Sequence, residues 1–378
     1  MSLKFFACGD IVNFKAKSDF VNAELKNIIQ KCDIAIGNFE APIKIPNMKP
    51  IKKAGPHLYQ SAESIKYMKT TGFNFVSLAN NHIYDYGQES LKATIEELLK
   101  YKIDFVGGGL NFEEVYQPKI IEKKGLKIGL LAGCENEFGC LYENQKRGGY
   151  AWLFHEKIED QIRSLKKSVN FIVLIAHAGV EDIEIPIKEW RDRYKRLCDI
   201  GVNVIIGHHP HVPQAYEKYQ NSLIFYSLGN FYFDKGAFIN KSDDSYSVIL
   251  NFEKEKDINF EIIYHKKING QTSLACKNDV NFNLNSLNKM LGDKYKKNND
   301  EICLRLFRKY YYNYYINAVG TLPMNANFRQ IIKYLIKRLL FKKNMIDNKN
   351  LLLLHNIRID SHRFVVQRAL SLISEKIT

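Results

Sequence analysis

Short apolar runs recur through the first two-thirds of the chain, and each ends in a cluster of Gly, Asn, His, Asp or Glu. Leu3–Cys8 ends in Gly9-Asp10, Ile34–Ile36 in Gly37-Asn38-Phe39-Glu40, and Phe73–Leu78 runs into Asn80-Asn81-His82. Ile128–Ala132 is followed by Gly133-Cys134-Glu135-Asn136, and Phe171–Ala176 by His177. Val202–Ile206 leads into Gly207-His208-His209-Pro210-His211, and Leu223–Leu228 into Gly229-Asn230. Runs of this length and composition, bounded by turn-forming residues, predict buried strands. Between them, Ser18–Lys31, Ser61–Thr71, Gln88–Tyr101, His155–Ser168 and Ile187–Ile200 place apolar residues at three- and four-residue steps, which predicts amphipathic helices. Strands alternating with helices predict an α/β fold, in which ligands gather at the carboxyl ends of the strands. The polar clusters fall at those ends, so a site is expected there.

Past Asp234 the pattern changes. Ser245–Phe252 and Ile258–His265 read as an antiparallel pair, and 278–299 is rich in Asn and Lys. The expected organisation is an α/β domain over 1–265, a linker over 266–299 and a basic helical region over 300–378. Within that region FRQIIKYLIKRLLFKK, residues 328–343, is amphipathic and cationic. It is expected to pack on its own domain with Lys and Arg outward; an anionic membrane surface is the alternative.

Charge widens the field of partners without choosing among them. The net charge is +14, with a pI near 9.2. This suits nucleic acid, an anionic lipid surface or a polyanionic polymer. No RNP or helix-turn-helix signature occurs, so nucleic acid is not favoured. The seven cysteines are odd in number and include no C-x-x-C pair, which argues against a disulfide framework or a cysteine-ligated zinc. Scattered thiols, no signal-peptide pattern and no run of apolar residues long enough to span a bilayer lead to an expected cytoplasmic location, with peripheral contact at the inner membrane left open. Gly107-Gly108-Gly109 does not continue as G-x-G-x-x-G, and no P-loop occurs.

The strand-end residues offer a specific chemistry. A di-metal hydrolytic centre needs carboxylates and imidazoles converging from several strands, where the metals activate a water and polarise a phosphoryl or carbonyl oxygen. Asp10, Glu40, Asn81, His177, His209 and His211 each follow a predicted strand. Singly, Asp10 reads as a turn residue, Glu40 as a solvated acid, Asn81 as part of a turn, and His177 as a hydrogen-bonded core histidine. The run from His208 to His211 is harder to explain so, because it puts three imidazoles within four positions.

The order of these residues is similar to that of the calcineurin-like metallophosphatases. The chain resembles more closely the bacterial capsule-synthesis (CapA) family, over about its first 265 residues. The resemblance rests on Gly9-Asp10, Gly37-Asn38-Phe39-Glu40, and Ala79-Asn80-Asn81-His82 with Asp85-Tyr86-Gly87. It continues in His177-Ala178-Gly179-Val180-Glu181, in Gly207 to Gln214, and in Tyr226-Ser227-Leu228-Gly229-Asn230-Phe231-Tyr232-Phe233-Asp234. It implies metallophosphatase-like layered sheets flanked by helices, with the basic helical region as an appendage. It also implies two divalent metals (Mn, Fe or Zn), one held by Asp10, Glu40 and His211, the other by Glu40, Asn81, His177 and His209. His82 would be the general acid or phosphate-orienting group, with Asp85 and Glu181 beside it in catalysis. His208, Asn230 and Asp234 would line the site. The implied role is a metal-dependent hydrolase, of phosphoesterase or amidase type, in the synthesis of surface polyglutamate or polysaccharide. An anionic polymer or phosphoester would be its substrate and the capsule-assembly machinery a contact. A nuclease or phosphodiesterase on the same fold, and a non-catalytic polymer-binding scaffold, are the alternatives. Three positions depart from the pattern: Val12 stands where the superfamily has histidine, Glu40 where it has aspartate, and Ala178 where the family has tryptophan.

Overall fold

The structure is a computed structural model that describes residues 2–236, 243–319, 327–340 and 342–375, with side chains for all of these except 334, 337–340 and 342–347. Parts of the basic C-terminal region at 320–326, 341 and 376–378 therefore lie outside the described residues. The chain divides into two compact units. One comprises 1–51, 57–135 and 139–292, the other 52–56, 136–138 and 293–378.

The first unit is built on two large sheets. Its strands are β1 (Leu3–Val12), β2 (Ile34–Phe39), β3 (Phe75–Ser77), β4 (Asp104–Val106), β5 (Gly108–Gly109), β6 (Lys119–Lys123), β7 (Leu126–Cys134) and β8 (Gly149–Tyr150). They continue as β9 (Phe171–His177), β10 (Val204–His208), β11 (Tyr216–Tyr219), β12 (Ser222–Phe225), β13 (Asn230–Phe233), β14 (Ser245–Phe252), β15 (Asn259–Ile268) and β16 (Gln271–Leu274). One sheet runs β16-β15-β14-β1-β2-β3-β4, with β13 also paired to β1; the other runs β11-β12-β10-β9-β7-β6. A short β5-β8 ribbon stands apart. Strands β1, β2, β3 and β4 are parallel, as are β7, β9, β10 and β12. Strands β2, β9 and β10 are buried along their whole length, the signature of parallel strands covered on both faces. The sheets meet through aromatic rings: Phe171 reaches Phe252 at 5.0 Å and Phe225 reaches Phe260 at 5.3 Å between centroids.

Helices α1 (Ala23–Gln30), α2 (Glu63–Thr71), α3 (Gly87–Lys100), α4 (Phe112–Tyr116), α5 (Glu156–Leu165), α6 (Lys188–Ile200) and α7 (Leu284–Lys289) belong to this unit. Their apolar stripes face inward, as in α5, where Ile158, Ile162 and Leu165 are buried. Helix α1 starts later than the periodicity predicts. Asn22 caps it by accepting from the Leu25 N–H at 3.0 Å, and its own N–H is taken by the Thr272 carbonyl, so the residues before it are drawn toward β16 instead of into a helix. Helix α2 stops at Gly72, which takes a left-handed φ of 119° and closes the last turn. Between 266 and 299 the chain carries the end of β15, then β16, α7 and the start of a further helix at Tyr295.

The second unit is helical. It contains α8 (Tyr295–Leu306), a π-helical turn (Phe307–Tyr311), α9 (Tyr312–Val319), α10 (Phe328–Leu340), α11 (Lys342–Arg358) and α12 (Asp360–Ser374). The Tyr315 hydroxyl donates to the Asn356 carbonyl at 3.0 Å and Arg368 pairs with Asp300 at 3.1 Å, tying α9 to α11 and α12 to α8. Helix α10 differs from the expected packing: its apolar residues Phe328, Ile332, Leu335 and Ile336 are exposed.

Candidate metal centre

Two close backbone approaches bring the strand ends of both sheets together. A Cβ on Gly9 would sit 1.8 Å from the Gly229 carbonyl oxygen, and one on Gly207 would sit 2.0 Å from that of Tyr226. Only glycine permits either contact. The register of β1 shifts between Ala7 and Asp10 and again between Asp10 and Ile11. These irregularities let β1 leave β14 and take up β13, so that Asp10 lies between Asn38 of β2 and Asn230 of β13. In the other sheet His177 lies between Cys134 of β7 and His208 of β10.

At this junction the six residues expected as metal ligands come together. Asp10 Oδ1 accepts from Asn38 Nδ2 at 2.8 Å, and its Oδ2 accepts from the His209 N–H at 3.3 Å. His211 Nδ1 lies 3.4 Å from Asp10 Oδ2, and its Nε2 lies 3.6 Å from Glu40 Oε1. His177 reaches Asp10 through Nδ1 and Glu40 through Nε2, at 3.8 Å each. Its Nε2 also lies 3.1 Å from Asn81 Oδ1 and 3.1 Å from His209 Nδ1. Ligand atoms of Asp10, Glu40 and His177 fall within 4.8 Å of one another, as do those of Glu181, His209 and His211.

Three observations test whether these residues fit divalent cations. Glu40 is fully buried, yet neither of its carboxylate oxygens has a hydrogen-bond partner. A buried acceptor left this way costs about 1–3 kcal/mol, more if charged. Second, Asn38 donates to His177 Nδ1 at 3.0 Å while its own carbonyl takes the Asn80 amide at 3.1 Å. His177 Nε2 faces Asn81 Oδ1 and His209 Nδ1 at 3.1 Å each and a Glu40 oxygen at 3.8 Å, so acceptor groups from three other residues converge on one point, as a cation requires. Third, His209 and His211 hold left-handed φ values of 95° and 59°. Such strain costs of order 1–3 kcal/mol per residue and collects at functional sites. Carboxylate, amide and imidazole donors suit borderline divalent metals, and the residues fit the group.

The electrostatics agree. Burial opposes ionisation of Asp10, but the His211 hydrogen bond and the surrounding imidazoles outweigh it and hold the carboxyl well below the usual range. Burial, then the Asp10 charge, pushes Glu40 well above it. Burial works against a charged His211, yet Glu40 and Asp10 push it up to about 10. Burial lowers His209 to about 4 and holds His177 well below the ordinary value, helped there by the His209 charge.

The other expected site residues divide. His82 Nδ1 lies 2.7 Å from Asp85 Oδ2, which also accepts from the Leu58 N–H at 2.7 Å, so the pair is anchored to the backbone. Glu181 is exposed beside His209 and His211. Asn230 Oδ1 lies 2.9 Å from His211 Nδ1. His208 instead turns toward the first sheet, its Nε2 2.9 Å from the Cys8 carbonyl oxygen. Asp234 accepts from the Phe14 and Lys15 N–H groups at 2.6 and 3.1 Å and so clamps the loop after β1. Val12 is buried and pairs with Phe233, leaving no imidazole at that place.

Two participants carried no role in the sequence reading. Asn38 bridges Asp10 and His177. Glu135, fully buried, lies 3.3 Å from His209 Nε2 and accepts from the Gly179 N–H at 3.2 Å. Both stand in the polar clusters that end predicted strands, and that position was the signal available for them.

Comparison with known proteins gives one likeness in structure and several in sequence. A putative 5'-nucleotidase from Staphylococcus aureus superposes with a TM-score of 0.45 at 13% identity, over 77% of this chain and 58% of that one. In sequence, the capsule biosynthesis protein CapA of Bacillus anthracis is 31% identical over 233 residues, 60% of this chain and 56% of that protein. The PGA biosynthesis protein CapA of Bacillus subtilis (strain 168) is 31% identical over 248 residues, 65% of this chain and 64% of that protein. The match thus spans less than two-thirds of either relative. The profile of the family described as bacterial capsule synthesis protein PGA_cap matches residues 5–235, more than half of the chain and every residue of the centre described above, and the chain belongs to that family.

Proposed function

We propose that this protein is a metal-dependent hydrolase that cleaves a phosphoester or amide bond during synthesis of a capsular or other surface polymer, polyglutamate or polysaccharide. The observation that carries this reading is the buried Glu40 carboxylate, without hydrogen-bond partners, among Asp10, His177 and His211. Asp10, Glu40, Asn81, His177, His209 and His211 hold two divalent cations of the Mn, Fe or Zn type. When bound, such cations supply an activated water and polarise the scissile oxygen.

The chain's own residues do the rest. Asn38 orients Asp10 and His177 together. Glu135 fixes His209, as carboxylates commonly do for metal-bound imidazoles. Asp85 holds His82 by Nδ1 and fixes the orientation of the ring, so His82 is placed to deliver a proton from Nε2 to the leaving group. Glu181, exposed at the edge of the histidine cluster, meets the substrate side. Family membership supports the polymer assignment, and the net charge of +14 suits an anionic substrate.

Turnover on phosphoester and amide substrates tests the reading. His82→Ala and His211→Ala are each expected to lose at least about 100-fold in kcat, the usual scale of a general acid or an electrostatic contact. Full activity in both contradicts it. Val12 favours a second reading, because a shell short of one imidazole suits a non-catalytic polymer-binding subunit. Polymer binding that survives chelation, with no turnover on any ester or amide, selects that reading.

A further inference from the structure

Helix α10 presents an apolar stripe to solvent. Phe328, Ile332, Leu335 and Ile336 follow the i, i+4, i+7, i+8 spacing that lines one face of a helix. They are 75%, 38%, 49% and 49% exposed. In α5 the residues of the same pattern, Ile158, Ile162 and Leu165, are exposed by 3% or less. The charged residues of α10 are all basic: Arg329, Lys333, Lys337 and Arg338. Of these, Arg329 and Lys333 are exposed.

We propose that α10 is a membrane-docking helix that lies in the interface of an anionic lipid bilayer, with Phe328, Ile332, Leu335 and Ile336 toward the acyl chains and Arg329 and Lys333 at the headgroups. Its 13 residues span about 20 Å, too short to cross a hydrocarbon core of about 30 Å, so the helix lies along the surface. No helix among the described residues is long and apolar enough to cross a membrane. The pairing of faces decides the occupant. A soluble polyanion would neutralise the basic residues but offers no apolar phase to the stripe. A second copy would cover the stripe but set one all-basic helix against another in a chain of net charge +14. An anionic bilayer satisfies both faces at once.

The test is co-sedimentation of the full chain with phosphatidylcholine vesicles, with and without phosphatidylglycerol. Binding is expected only with phosphatidylglycerol, and it weakens as salt rises. Phe328→Asp with Leu335→Asp should cut it at least about tenfold, and so should Arg329→Glu with Lys333→Glu. All four positions are exposed, and the charge-reversal pair leaves the stripe intact, so one variant remains readable if the other misfolds. Three results overturn the proposal: no binding to anionic vesicles, binding unchanged in both variants, or a stripe whose only measurable effect is self-association or retention on a soluble polyanion.

Discussion

In the α/β unit, polar groups are buried where apolar ones are expected. Glu40 is wholly enclosed with neither carboxylate oxygen hydrogen-bonded, and Asp10, His177 and His211 close around it. In the helical unit the reverse holds, and Phe328 is 75% exposed on a helix whose partner faces would normally be covered. Each region departs from the rule that polar groups pair and apolar groups hide, in opposite directions. The first departure calls for something small and positive, because carboxylates and imidazoles converge on it. The second calls for something extended and apolar with a negative rim. A costly arrangement thus reports the chemistry of what completes it.

The largest effect expected from breaking the first region is at Glu40. Glu40→Ala should abolish metal retention and reduce turnover by about 1,000-fold or more, since one carboxylate contacts both halves of the cluster. The positioning carboxylate is next: Glu135→Gln should weaken metal affinity by about 10–100-fold while secondary structure is unchanged, read by titration calorimetry. Proton linkage sharpens the contrast further. In the metal-free protein burial and then the Asp10 charge push Glu40 up, and His211 is raised to about 10, so each binds its proton more tightly than a free side chain does. Cation binding must displace those protons. Affinity should therefore rise with pH, by up to about tenfold per unit for each proton displaced, and calorimetry in buffers of different ionisation enthalpy should register proton release.

Smaller is the effect on folding. Glu40→Gln removes a buried acid whose oxygens accept no hydrogen bond and whose ionisation burial and Asp10 oppose more than His211 favours, so the metal-free variant should be more stable than the metal-free parent by about 1–3 kcal/mol, measured by urea unfolding in chelator. Away from the centre, burial lowers His265 to about 3. The unfolded chain takes a proton at this residue near pH 6.5 and the native state does not until about pH 3. Native stability should therefore fall by about 1.4 kcal/mol per unit as the pH drops through that window, and be independent of this group above it. Comparing the pH dependence of unfolding with that of His265→Gln isolates the contribution.

Much of the α/β unit was legible because its information is local. Apolar runs such as Phe171–Ala176 and Val202–Ile206 could hardly be anything but buried strands, and the polar residues after them landed at one edge. What escaped depends on contacts distant in sequence. Strand β13 follows Gly229, whose φ of 78° turns the chain, and it exists as a strand only because Asp10 pairs with Asn230 across the molecule. Asp234, expected to line the site, accepts the N–H groups of Phe14 and Lys15, contacts some 220 residues apart in sequence that no local pattern announces. His208 shares its motif with two ligand-type histidines, but strand alternation aims it at β1. In α10 the pattern was plain and its outcome was not, because periodicity shows which face is apolar and says nothing of what meets it.

The central claim is that the buried strand-end cluster holds divalent cations. Elemental analysis of the purified protein, alongside Glu40→Ala and His209→Ala, tests it most directly. The account predicts about two equivalents of Mn, Fe or Zn in the parent, lost in both variants. No metal in the parent after loading with excess Mn²⁺, or retention unchanged in both variants, would contradict it.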